Sequence, residues 1–136
     1  NEVTEKVLKA IEGKKYKVII LNYANPDMVG HTGNMEAAVE AVQAVDKCLG
    51  QLFEAVKSEG LTWLITADHG NVEKMKDENG KQHTAHTTNL VPFIIVDEKR
   101  RDVQLKTGAL RDVAPTILQF LGIEKPAEMT GESLIL

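Results

Sequence analysis

Apolar residues in this chain follow two periods, and the switches between them mark out its elements. Val3, Val7, Leu8 and Ile11 recur at three- and four-residue spacing. They predict a helix over 2–12, with Asn1 as its N-cap and Gly13 as its stop. Residues 16–21 (YKVIIL) form a continuous β-favouring run and predict a strand. The stretch 22–34, NYANPDMVGHTGN, is dense in Asn, Gly and Pro and reads as a loop. Met35, Ala38, Val42, Val45, Leu49, Leu52 and Val56 then fall on one stripe of a long helix over about 34–59. Asn34 caps it, Glu36 suits its positive end and Gly60 ends it. Residues 61–66 predict a second, buried strand, so 16–21, 34–59 and 61–66 read as a right-handed, parallel βαβ unit.

The second half is less regular. Residues 71–90 are polar and turn-rich, longer than a simple connection requires. Residues 91–96 (VPFIIV) predict a third strand, with Pro92 tolerated near its start or on an edge. A charged turn over 97–102, a short strand over 103–105 and a last helix over 112–121 follow. Asp112 as cap puts Pro115 in the first turn of that helix, and Gly122 closes it. The tail, 123–136, reads as irregular.

Composition narrows the partners. The 136 residues are 43% hydrophobic and 26% charged, an ordinary globular balance in one domain. A net charge of -4 without a Lys/Arg block argues against nucleic acid. No apolar run approaches the length of a membrane span, and the opening residues are not expected to act as a signal peptide. Cys48 is the sole cysteine and fits a reducing cytoplasm; it reads as an inert helical residue on the flank of the stripe. The chain opens at Asn1 rather than Met, so it is expected to be a piece of something longer.

All four histidines, His31, His69, His83 and His86, lie in predicted loops. Asp27 precedes His31 by four residues and Asp68 is adjacent to His69, each beyond the carboxyl end of a predicted strand, where open α/β sheets place ligands. Mixed carboxylate and imidazole donors suit Mn, Zn or Fe, and two such clusters suggest a two-metal site for phosphoryl transfer. Spacing alone leaves other readings open. Asp68-His69-Gly70 is also a turn sequence, Asp27 after Pro26 is also a turn initiator, and His83 and His86 are by default solvated. Met35 and Trp63 read as core, and Lys74, Lys76 and Lys81 as a solvated loop; Glu73 can face the site, though a surface role is the expected one.

Four segments together carry a resemblance: NYANPDMVGHTGN (22–34), TADHGN (66–71), HTAHTTNLVPF (83–93) and LRDVAPTILQFLGI (110–123), with MTGESLI (129–135) in the tail. They resemble the carboxyl-terminal part of the cofactor-independent phosphoglycerate mutases, of the alkaline phosphatase superfamily. TADHGN marks the superfamily; PDMVGHTGN with HTAHTTN separates the chain from sulfatases and nucleotide pyrophosphatases. The resemblance implies an α/β, alkaline phosphatase-like domain with a largely parallel sheet flanked by helices. Residues 1–136 would be its carboxyl-terminal portion, lacking the amino-terminal segment and the inserted transferase domain. It implies a first Mn²⁺ on Asp27, His31 and His86, the last preferred over His83 because it stands six residues before Pro92. It implies a second Mn²⁺ on Asp68 and His69, completed by an Asp and a Ser nucleophile outside this chain. Ser58 and Ser133 have none of that nucleophile's surroundings. The parent would be a monomeric, cytoplasmic enzyme of glycolysis, interconverting 3- and 2-phosphoglycerate through a phosphoserine. Its missing half would be this chain's partner, and the chain by itself would be inactive. The alternatives are another metal-dependent phosphohydrolase or phosphomutase of the superfamily, or a non-catalytic fragment.

Overall fold

The computed structural model describes residues 2–136, so the cap expected at Asn1 lies outside the described residues. The chain divides into two compact units, one ending at Glu98 and the other spanning Lys99–Leu136. No helix among the described residues is long and apolar enough to cross a membrane.

The first unit is built on α3 (Met35–Ser58), whose N-cap Asn34 accepts the Ala37 N–H at 3.1 Å. Its buried stripe runs Ala38, Ala41, Cys48, Leu52 and Val56. Leu52 and Val56 meet Ile11 of α1 (Glu2–Glu12), and Val7, Leu8, Leu21, Tyr23, Ala55 and Trp63 pack around them. Trp63 is therefore core-facing as expected. Met35 is not: it is 48% exposed, as Val42 is at 45%, because the helix's opening turns present that side to solvent. Gly60 leaves the helix at φ +60°, a left-handed turn that suits glycine.

Two strands follow, β1 (Trp63–Thr66) and β2 (Phe93–Val96). They pair antiparallel, with Trp63 opposite Val96 and Thr66 opposite Phe93. This corrects the expected parallel βαβ unit. The correction begins at residues 16–21, which join no strand. Tyr16, Val18, Ile19 and Ile20 are exposed, Ile20 at 86%. β-branched residues favour strands when a pleated, half-buried surface receives them, and no strand among the described residues pairs with this run. The expected loop 22–34 is corrected as well, since Asn25–Gly30 forms a short helix, α2. Pro26 sits in its first turn, where its missing N–H costs nothing.

The antiparallel pairing sets the site's location. Thr66 ends β1 where Phe93 begins β2, so the segment after one strand and the segment before the other share an edge. Residues 71–90 leave and return between them, closed by bridges at Gly70–Thr87 and Lys76–Gln82. The excursion thus brings His86 back beside His69. Lys74, Lys76 and Lys81 are exposed on it, as expected.

In the second unit, a 3₁₀ turn (Leu110–Asp112) leads into α4 (Val113–Leu121), with Pro115 buried in the first turn and Gly122 closing the helix at φ +66°. Asp112 does not cap α4 through its side chain, as had been expected. Its carboxylate instead accepts the Ala109 N–H at 2.7 Å and the Glu132 N–H at 2.9 Å, tying the helix entry to the tail. Thr116 adds a second tie, donating to Asp112 O and accepting the Leu134 N–H. The expected strand 103–105 reduces to one bridge, Leu105–Ile135.

Two outcomes follow from this packing. Leu52→Ala removes a 2%-exposed side chain from the cluster and is expected to cost about 2–5 kcal/mol in chemical denaturation. The two backbone donors hold the Asp112 carboxyl below its ordinary range, outweighing burial, with Arg111 and Lys106 assisting. A depressed carboxyl stabilises the fold above its unfolded pKa, and that contribution fades as pH falls through the folded value. Asp112→Asn should therefore lower the thermal midpoint near neutral pH, with the difference narrowing below about pH 4. A difference that stayed constant across that range would contradict the assignment.

Candidate metal centre

Asp27 and His31 lie four residues apart across α2 and its C-cap, so one helical turn stacks them on one face. Asp27 Oδ1 is 3.3 Å from His31 Nε2. The returning excursion adds His86, whose Nε2 is 3.0 Å from Asp27 Oδ1 and 3.2 Å from His31 Nε2. Three donors from two distant segments thus form a triangle with edges of 3.0, 3.2 and 3.3 Å. Donors about 2.1 Å from a shared ion stand roughly 3.0–3.4 Å apart at octahedral to tetrahedral angles. The triangle fits a divalent cation.

Neighbouring groups set the protons. His31 Nδ1 donates to the Thr84 carbonyl at 2.7 Å, which in the neutral ring leaves Nε2 as a bare lone pair facing the cluster. Asn71 donates its amide to Asp27 Oδ1 at 2.8 Å. Burial opposes ionisation of Asp27, but the Asn71 amide and the nearby His31, His86 and His69 outweigh it and hold the carboxyl below its usual range.

The second expected pair sits beside the first. The His69 ring stacks on His86 at 3.6 Å, and its Nδ1 is 4.0 Å from Asp27 Oδ1. That Nδ1 is buried and has no hydrogen-bond partner, a lone pair or proton directed at nothing else. One atom each from Asp27, His69 and His86 lies within 4.8 Å of the others, so His69 borders the same cation position. Asp68 is more exposed, with its carboxylate 3.7 Å from His69 Nε2. His83 donates its backbone N–H to Met75 O, and its Nδ1 is buried without a partner. Ser58 spends its hydroxyl on Ala55 O, and Ser133 Oγ accepts the Ile135 N–H.

Asn71 and Thr84 were not among the expected site residues, and Glu73, which was expected on the surface, is exposed but bonded to Thr87 and Asn89 beside the site. Asn71 stood inside TADHGN, but nothing in its neighbours said that it would reach back to Asp27, 44 residues away. Gly30 is part of the same contact: a Cβ there would overlap the Asn71 side chain.

Comparison with known proteins agrees with a metal-dependent site. A family model described as the Metalloenzyme superfamily matches residues 1–125. The 2,3-bisphosphoglycerate-independent phosphoglycerate mutase of Moorella thermoacetica is 55% identical over 134 residues, covering 98% of this chain and 26% of that protein. That of Picosynechococcus is 57% identical over 141 residues, covering 98% and 27%. The chain therefore spans about a quarter of the length of these relatives. Among solved structures, Leishmania mexicana phosphoglycerate mutase, determined at low cobalt concentration, matches with a TM-score of 0.85 and 34% identity, over 99% of this chain and 28% of that one.

Asn71→Ala removes the amide donor from Asp27. The Asp27 carboxyl, followed by NMR titration, is expected to move upward toward the ordinary carboxylate range; an unmoved titration would contradict the role given to Asn71.

Proposed function

The chain belongs to the Metalloenzyme superfamily, and from that premise we propose that it is the metal-binding carboxyl-terminal part of a cofactor-independent phosphoglycerate mutase. The observation that carries this reading is the triangle of Asp27 Oδ1, His31 Nε2 and His86 Nε2. The bacterial relatives above support the choice of mutase over other phosphohydrolases. In this reading Asp27, His31 and His86 hold a first divalent ion, and Asp68 and His69 supply part of a second site whose remaining ligands lie outside this chain. The whole enzyme, cytoplasmic, monomeric and glycolytic, interconverts 3- and 2-phosphoglycerate through a phosphoserine whose serine is neither Ser58 nor Ser133.

Ions bound there would neutralise charge on the transferring phosphoryl oxygens and acidify a coordinated hydroxyl. This chain's residues prepare that environment. Asp27 brings a formal negative charge and is kept ionised by Asn71 and the imidazoles. His31 is held in one tautomer by Thr84, and His86 and His69 keep each other's ring planes nearly parallel, at 16°. Mn²⁺ is the proposed ion. Co²⁺ fits the same donors, and the Leishmania mexicana enzyme was solved at low cobalt concentration.

Calorimetric titration of the chain with Mn²⁺ near pH 7.5 is expected to give one well-defined site, weakened by more than about 100-fold in His86→Ala, beyond the loss typical of outer-shell changes. Binding needs neutral imidazole and ionised carboxylate, so affinity should fall on acidification. The chain alone should show no mutase turnover. Turnover by the chain alone, or Mn²⁺ binding indifferent to His86, would contradict the proposal.

A further inference from the structure

The residues following the two stacked histidines are joined to each other. Gly70, next to His69, and Thr87, next to His86, form an antiparallel bridge, with the Thr87 N–H donating to Gly70 O at 2.9 Å. Glu73 closes that bridge from the side. Its Oε1 accepts the Thr87 hydroxyl and, at 3.0 Å, the Asn89 side-chain amide. Thr87 Oγ1 also lies 3.3 Å from the Asn89 backbone nitrogen, as acceptor of its N–H. The junction is tight, because a Cβ on Gly70 would overlap both Thr87 Oγ1 and Glu73 Oε1. One carboxylate therefore gathers donors from residues 87 and 89 onto the segment that carries Asp68 and His69.

We propose that Glu73 is a positioning residue that clasps the His86 segment to the His69 segment through Thr87 and Asn89, setting the two imidazoles in their stacked arrangement before a cation arrives. The clasp itself needs no metal. Its consequence for affinity rests on the metal-site reading given above. A carboxylate suits the task because both of its donors are neutral, and hydrogen bonds to a charged acceptor are about twice as strong as neutral ones. Glu73 is itself exposed, so its replacement leaves the core intact. Thr87→Val offers an independent break at the other end of the same bond.

The test uses the whole chain with two readouts. In the metal-free protein, amide hydrogen exchange at Thr87 is expected to quicken by about tenfold or more in Glu73→Ala and in Thr87→Val, while the amide of Ala38 in α3 keeps its rate. Glu73→Gln, which retains one acceptor oxygen, should restore most of the protection. In Co²⁺ titrations the two breaking variants should bind about 10–100-fold more weakly, the range typical of outer-shell changes. Glu73→Gln should lie between them and the unaltered chain. Unchanged Thr87 exchange in Glu73→Ala would overturn the clasp, and so would quickening spread equally into α3. Quickened exchange with undiminished Co²⁺ affinity would overturn its link to the cation. Should the unaltered chain bind no Co²⁺, the metal-site reading fails by itself, and the exchange data alone decide whether the clasp exists.

Discussion

Asp27 Oδ1 lies 3.0 Å from His86 Nε2, 3.3 Å from His31 Nε2, 4.0 Å from His69 Nδ1 and 2.8 Å from the Asn71 amide. One oxygen is the meeting point of three segments that are far apart in sequence. Donors gathered this closely repel or lie idle unless positive charge lies among them, as protons or as a cation. That requirement makes sense of the surrounding hydrogen bonds. The Thr84 carbonyl keeps the His31 proton on the far nitrogen, and the Asn71 amide, donating to the same Asp27 oxygen, helps to keep it ionised.

The scaffold serves this meeting point with modest means. α2 supplies one turn of helix, enough to align Asp27 with His31. The antiparallel pair β1–β2 supplies a shared edge, and the excursion between the strands supplies His69 at its start and His86 at its end. α3 and α1 bury the cluster of Ile11, Leu52 and Val56 that Trp63, at the start of β1, packs against. Rigidity close to the donors thus comes less from apolar burial than from polar ties among Gly70, Glu73, Thr87 and Asn89.

What the sequence disclosed depended on the range of the interaction. The helices over 2–12, 34–59 and 112–121 were legible because apolar spacing and capping are local, and Asn34 caps α3 as read. The strands at 61–66 and 91–96 were legible as strands, but the direction of their pairing was not, since direction is fixed by tertiary context. Residues 16–21 show the limit most clearly: a β-favouring run becomes a strand only beside a neighbour. At the site, the Asp/His pairs were visible as motifs, and the structure brings Asp27, His31 and His86 within 3.3 Å of one another. Asn71 and Thr84, and the partners of Glu73, were hidden because these contacts span 44, 53 and 14 to 16 residues. A polar loop residue with a distant partner looks the same in sequence as one facing water.

Anomalous diffraction from crystals of this chain grown with Mn²⁺ tests the central claim most directly. The account predicts a peak in contact with Asp27, His31 and His86 together, with the Thr84 and Asn71 hydrogen bonds retained. A Mn²⁺-bound crystal whose peak lay elsewhere, with these three side chains unengaged, would contradict it.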